Sequence, residues 1–255
     1  MTMRRTSELL LGLLPIALIL ALWQGLTASG MAPPSLLPRP AAVFARLADQ
    51  LVNPAFLQHA ATTLFRLFAG FAIAVAVGVT AGVAATGSRT IEALVKPLVR
   101  VLAPVPKIAL YPAFILILGF EHASKIALVA ADATFPILLA TYQGTSAVEP
   151  KLVWSALAAG ASRRRALLTV VLPAALPSVL TGCRIGLVIS CIVVFLAEMI
   201  TSADGLGHLL VYAARNFQTV DMFVPLIAIS LLGLALNAAF NAVQARLLAG
   251  FEGAP

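Results

Sequence analysis

Residues 154–173, WSALAAGASRRRALLTVVLP, read as a short helix of small side chains, a glycine turn, a basic helix start and a proline stop. Ala156, Ala158 and Ala159 leave the first helix with almost no bulk, so another protein surface can approach it closely. Gly160 can adopt the left-handed conformation that ends a helix, and Ser162 is a good cap for one that restarts directly after it. The stretch therefore predicts a helix–turn–helix elbow. Arg163, Arg164 and Arg165 fall in the first turn of the second helix, where each positive charge is disfavoured by roughly 0.3–1 kcal/mol. Compensation has to come from outside the helix, from anionic lipid headgroups or an acidic partner.

Around the elbow the chain is apolar. Of its 255 residues 61% are hydrophobic and 11% charged, with a mean hydropathy of +1.01, whereas soluble domains carry about 25% charged residues. The composition predicts a polytopic membrane protein in a lipid bilayer. The net charge of +7 fits the excess of lysine and arginine on cytoplasmic loops better than it fits nucleic acid. Cys183 and Cys191 stand too far apart along one helix for a disulfide and read as inert core residues. His59, His122 and His208 show no metal-ligand spacing. There is no P-loop, nucleophile elbow or dinucleotide fingerprint in the sequence. If ATP drives this protein, a separate chain binds it.

Hydropathy divides the chain into about six spans. Residues 9–26 form the first, long enough to cross and unlike a signal segment. Residues 27–65 form a polar outer connection in which Val43, Phe44, Leu47 and Leu51 recur at helical spacing. A second span starts at Arg66, with Gly70, Ala74, Gly78 and Gly82 along one face, a pattern that lets membrane helices touch backbone to backbone. Residues 88–100 read as a short polar connection. The third span is interrupted by Pro104, Pro106 and Pro112 around Lys107, a break that needs neighbours or water to satisfy freed backbone groups. Residues 126–142 and 185–200 cross next, with Gly182, Gly186 and Ser190 as a second small face, and 222–248 cross last. Asn237, Asn241 and Gln244 share a face of that last span, where bonds to a neighbouring helix are expected. Eleven lysines and arginines fall on the elbow side against five opposite, so both termini, Glu252 included, are expected in the cytoplasm with the elbow.

The elbow also resembles the cytoplasmic "EAA" loop of permease subunits of bacterial ABC importers, whose pattern is E-A-A-x3-G-x9-I-x-L-P. Ala156, Gly160, Leu172 and Pro173 fall in register, while Trp154, Ser155 and Val170 replace the glutamate, the first alanine and the isoleucine. LLPRPAAVF at 36–44, LFRLFAGFAIA at 64–74, FPILLATYQG at 135–144, LPAALPSVLTGCRIG at 172–186 and AEMITSADGLGHLL at 197–210 are similar to the sulfonate, nitrate and taurine branch of that family.

The resemblance implies an all-α membrane protein with a cytoplasmic coupling elbow at 151–173. Residues 1–61 would hold the tail, first span and outer loop, and 62–248 the transmembrane core. It further implies a non-catalytic import subunit of the bacterial inner membrane, which binds no cofactor itself. Its partners would be a second permease copy as a homodimer, two ATP-binding subunits carrying ATP and Mg, and an extracytoplasmic solute-binding protein. Trp154, Ala156, Ala159, Gly160, Ala161, Ser162, Arg163, Leu172 and Pro173 would couple to the ATPase. Pro106 and Lys107 at the proline break, with Asp132 and Glu198 as the acids inside spans, are candidates for a solute path, because ionised groups are costly there. Asp132 could instead bond to Asn237, and Glu198 could be solvated near the outer interface. An ion-coupled carrier using the two acids is the alternative, and the elbow argues against it.

Overall fold

Asn53 and Pro54 make a helix start that hydropathy alone overlooks. In the computed structural model, which describes the backbone of residues 2–33 and 35–249 and side chains from Leu14 onward, the Asn53 side chain accepts a hydrogen bond from the Ala55 N–H and Pro54 occupies the first turn. Proline lacks only a donor that is free there anyway. The helix so started, Pro54–Gly87, has 34 residues and spans about 51 Å at 1.5 Å per residue. The second span thus begins twelve residues before Arg66 and runs unbroken through residues 61 and 62. Glu252 and the side chains of Arg4 and Arg5 lie outside the described residues.

In chain order the helices are α1 (Thr2–Ala28), α2 (Pro40–Gln50), α3 (Pro54–Gly87), α4 (Arg89–Leu102), α5 (Tyr111–Leu118), α6 (His122–Ser146), α7 (Pro150–Ala158), α8 (Arg163–Ala166), α9 (Leu172–Ala174), α10 (Leu176–Thr201), α11 (Leu206–Arg215) and α12 (Thr219–Leu248). Among the described residues α3, α6, α10 and α12 are each long and apolar enough to cross a membrane. Several expected boundaries move, among them the fifth span, which starts at Leu176 instead of residue 185 and so takes Arg184 out of the elbow-side connection and into α10. Residues 88–100 are not a polar connection but the amphipathic α4, capped by Ser88, whose side chain accepts from the Ile91 N–H. The outer loop at 201–221 contains α11, and α12 starts at Thr219.

The interrupted third span is a bent pair. The segments Arg89–Leu102 and Lys107–Leu118 meet at 88°. The second measures only about 18 Å against a hydrocarbon core of about 30 Å, so it is a half-span. Pro112 lies in the first turn of α5, where proline is tolerated. Pro106, in an extended conformation, precedes the single helical turn Lys107–Leu110.

Close contact of α3, α6 and α10 makes the core. A side chain added at Gly70 would meet Val129 at 2.6 Å, at Gly78 Ile137 at 2.9 Å and at Gly82 Thr141 at 2.7 Å. Gly182 faces Ala140 and Gly186 faces Ile137 in the same way, each at 2.7 Å. Both four-spaced small faces therefore pack on α6, one from each side, as the spacing predicts. On α2, Val43 and Leu47 are buried, whereas Phe44 and Leu51 face outward. Only half of the expected apolar stripe is covered.

Candidate functional site

The elbow stands clear of the bundle. No residue of α7 is buried, and Trp154 is 65% exposed with Leu152 and Leu157 also open. α7 closes on Gly160, whose φ of +86° is the left-handed conformation. The Gly160 N–H donates to the Leu157 carbonyl and the Ala161 N–H to the Ala156 carbonyl, both at 3.0 Å. These two bonds are the Schellman arrangement that satisfies carbonyls at a helix end. Ser162 then restarts the chain, its Oγ accepting from the Arg165 N–H at 3.3 Å.

Behind the turn, Ala166 and Val171 are buried against the bundle. A wide helical turn, Leu167–Val171, leads into α9. Leu172 packs on the core that contains Ile137 and Val179, and Pro173 lies exposed at the bend before α10. Arg163, Arg164 and Arg165 are exposed, and among the described residues none is paired with a carboxylate. Their unfavourable place at a helix start is therefore uncompensated within the described chain.

Three of the candidate path residues come together and the fourth does not. Lys107, buried just after Pro106, holds its Nζ 3.6 Å from Oδ1 of Asp132 and 4.4 Å from the centre of the Phe135 ring, and donates to the Ala103 carbonyl at 3.0 Å. One ammonium thereby serves a carbonyl freed by the proline break and the only acid of α6. Asp132 does not bond to Asn237. That amide accepts from Nε of Arg184 at 3.0 Å instead.

Glu198 is neither solvated nor near Lys107. It is 1% exposed and pairs with Arg66, whose Nη1 donates to Oε1 at 2.8 Å. Arg66 Nη2 also binds Asp204, Nη1 reaches Ser202 at 3.3 Å, and Nε donates to Nδ1 of His122 at 3.1 Å. Around this pair the ADGLGHLL stretch is pinned by its backbone. The N–H groups of Gly205, Leu206 and Gly207 donate to His59, Thr63 and Glu198 at 2.9, 2.9 and 3.1 Å. Free donors at the start of α11 are thus capped by side chains from α3 and α10. Burial pushes the Asp204 carboxyl up, but the Arg66 pair and the Ser202 hydroxyl outweigh it and hold it below the usual carboxylate range. A cavity of about 410 Å³ opens beside the cluster, lined in part by Ser202, Asp204, His208 and Arg215.

Hydropathy places Arg66 only at the edge of a span, yet it organises this end of the bundle. The available signal was a single arginine with no acid near it in an otherwise apolar helix.

Residues 74–252 match the family described as binding-protein-dependent transport system inner membrane component. The chain belongs to this family. As such a component it is 30% identical over 237 residues to an aliphatic sulfonates transport permease protein of Bacillus subtilis (strain 168), covering 93% of this chain and 86% of that one. It is 31% identical over 238 residues to the taurine transport system permease protein of Escherichia coli (strain K12), covering 91% and 86%. A formylaminopyrimidine transport permease protein of Halalkalibacterium halodurans is 28% identical over 246 residues, covering 96% and 98%.

Among solved structures, an inward-facing MetNI methionine ABC transporter chain matches 80% of this chain and 96% of its own length with a TM-score of 0.59 at 21% identity. An amino acid ABC transporter chain covers 78% and 95% with a TM-score of 0.61 at 16% identity. These two show the fold. The chain is a permease component of an ABC transport system, and its all-α membrane fold is the expected one.

Proposed function

We propose that this permease is the membrane subunit of an ATP-driven importer that brings a small solute of the sulfonate, taurine, nitrate or pyrimidine-precursor kind into the cytoplasm. Two ATP-binding subunits, carrying ATP and Mg, dock on the elbows of two copies of this chain, and an external binding protein delivers the solute at the opposite face. The observation that carries this is α7, a helix with an exposed tryptophan and no buried residue of its own. A helix of nine residues contributes little stability by itself, so its fixed Schellman turn and open apolar surface suit a contact with another protein. Closure of the ATP-binding pair would move α7, and Leu172 and Pro173 would pass that movement to α10.

The ion-coupled alternative draws no support, because both acids it needs are engaged by Arg66 and Lys107. For Pro106, Lys107 and Asp132 a place on the solute path remains part of the proposal, whereas the burial of Glu198 favours a structural role.

The test is co-expression with the ATP-binding subunit and purification in nanodiscs. Trp154→Glu should leave membrane levels normal, weaken recovery of the ATP-binding subunit and abolish solute-stimulated ATP hydrolysis. Normal recovery and normal stimulation would sink the docking role. Orientation is tested in cells lacking Cys183 and Cys191. Arg164→Cys should be shielded from an impermeant thiol reagent and Asn53→Cys labelled, and the reverse pattern would overturn the topology.

A further inference from the structure

Every basic side chain at membrane depth described so far has a local partner. Arg66 meets Glu198 and Asp204, Lys107 meets Asp132, and Lys125 is held by the carbonyls of Phe120 and Glu121. Arg184 differs. It lies eight residues into α10, about 12 Å along the helix, and faces a groove of about 870 Å³ between α10 and α12. Its partner Asn237 sits eleven residues before the end of α12, about 16 Å from that end. Both therefore lie within helices long and apolar enough to cross a hydrocarbon core of about 30 Å, with Arg184 exposed to the groove.

The groove walls are mostly aliphatic, from Ile185, Val188 and Ile192 on one side to Leu226, Ile229 and Leu234 on the other. Its other hydroxyls are engaged within their own helices, Thr181 on the Pro177 carbonyl and Ser230 on the Leu226 carbonyl. Among the described residues the Arg184 guanidinium gives one hydrogen bond, from Nε to Asn237, and pairs with no carboxylate. Its two Nη groups remain as donors beside the Asn237 amide nitrogen.

We propose that Arg184 and Asn237 form an anion-holding site for a small organic solute bearing a sulfonate, carboxylate or phosphate, with its apolar part against the aliphatic walls. A charge left unpaired at this depth is costly and marks a functional group by default. The guanidinium fork matches the paired oxygens of such an anion and binds it more strongly where water is scarce. A lipid phosphate would require the side chain to snorkel toward the headgroups, whereas the Arg184 guanidinium is turned onto the Asn237 amide. A second copy of the chain brings Asp132 and Glu198 at membrane depth, but both are already engaged. Aliphatic walls with one guanidinium and one amide are also the usual make-up of a small-molecule site. The purpose of the site rests on the transport function proposed above; its test does not.

The test uses Ser230→Cys, a second residue of the same groove, in the full chain lacking Cys183 and Cys191 and purified with its ATP-binding subunit in phosphatidylcholine nanodiscs. Two thiol reagents of equal size are compared, 2-sulfonatoethyl methanethiosulfonate and its trimethylammonium analogue. The sulfonate reagent should react faster. Arg184→Gln should lower the anion-to-cation rate ratio about tenfold, as removal of a nearby charge in a poorly screened groove requires, whereas Arg184→Lys should keep most of it. Free ethanesulfonate should slow the anionic reagent only when Arg184 is present.

An unchanged ratio in Arg184→Gln overturns the site while leaving the ATP-subunit association, measured in the same preparation, untouched. No reaction with either reagent turns the groove toward lipid tails and overturns it as well. A preference abolished by phosphatidylglycerol in the discs assigns the guanidinium to lipid headgroups and overturns the solute proposal.

Discussion

Gly160 and Gly119 form a matched pair on which the coupling role of the elbow can be tested. Both have positive φ, +86° and +82°, Gly119 with an extended ψ of 178°, and a side chain added at either meets nothing within 4 Å. They differ in place: Gly119 ends α5 and precedes the start of α6, whereas Gly160 lies in the elbow beyond the other end of α6. Leucine at Gly160 costs about 1–2 kcal/mol of backbone strain. At 1.4 kcal/mol per factor of ten, that lowers the population of a correctly folded turn about 5–30-fold. Gly160→Leu should therefore weaken association with the ATP-binding subunit by about that factor at normal membrane levels, read by titrating the purified permease against its partner. Gly119→Leu also strains a positive-φ position, by about 1–3 kcal/mol, and should leave association unchanged. Gly160→Asn should fall close to the parent protein, because asparagine tolerates positive φ. Equal loss from Gly119→Leu, or full association of Gly160→Leu, would refute the idea that the geometry of this turn positions a docking helix.

Glu198→Gln removes the buried one of the two carboxylates that Arg66 meets, leaving Asp204, and should cost up to roughly 3–5 kcal/mol, seen as a lower midpoint of thermal unfolding; an unshifted midpoint would show the pair to be dispensable. Gly82→Leu drives a side chain into Thr141 at 2.7 Å and should destabilise the bundle, while Gly233→Leu, with nothing within 4 Å, should not. Because the Asp204 carboxyl is held below its usual range, its stabilising effect is complete above the ordinary aspartate pKa of about 3.9 and is lost as pH falls through the lower folded value. Asp204→Asn should therefore narrow the stability gap to the parent as pH drops below about 4 in an acid-unfolding series, by an amount reduced by the carboxyl's partial exposure. Asp132→Asn should leave assembly intact and change solute uptake; normal uptake would make the acid only a counter-ion for Lys107.

What could be read from the sequence was what depends on near neighbours. The Gly160 turn follows from small residues, a glycine and a serine within a few positions, and turn chemistry is local. The two glycine faces were visible because helical period projects four-spaced residues onto one stripe, and that stripe has only one use when its partner is another helix. The start of α3 is equally local, in the Asn53 cap and Pro54, but it is a capping signal, and apolar length alone places the span later. α4 was missed because an amphipathic helix and a polar connection have similar composition and differ only in order along the chain.

Arg66 and Glu198 are another matter, being 132 residues apart. Counting charges by loop assigns Arg66 to the side opposite the elbow, but no count reveals that its partner is in α10. The same holds for Lys107 and Asp132, whose pairing depends on how sharply the chain turns after Leu102.

Packing divides the molecule into parts that are complete and parts that are not. α3, α6 and α10 touch through glycines with no space for a methyl group, and interiors packed so closely do not deform continuously. Arg66 and Glu198 extend that block to α11 by capping its first turn. α12, by contrast, buries only Val224, Pro225 and Ile229, and α7 buries nothing. A soluble protein with such exposed faces would aggregate; in a bilayer the face of α12 has lipid, solute or a second copy to meet, but α7, at the end of its spans, has only another protein. On the function and the site proposed above, these unfinished surfaces are the ones that interact, α7 with what drives the permease and the groove beside Arg184 with what it carries. A structural charge is one whose partners lie within the chain, as with Arg66. By that standard Arg184 and the three arginines of the elbow, none paired with a carboxylate among the described residues, are among the charges left to meet something outside the chain.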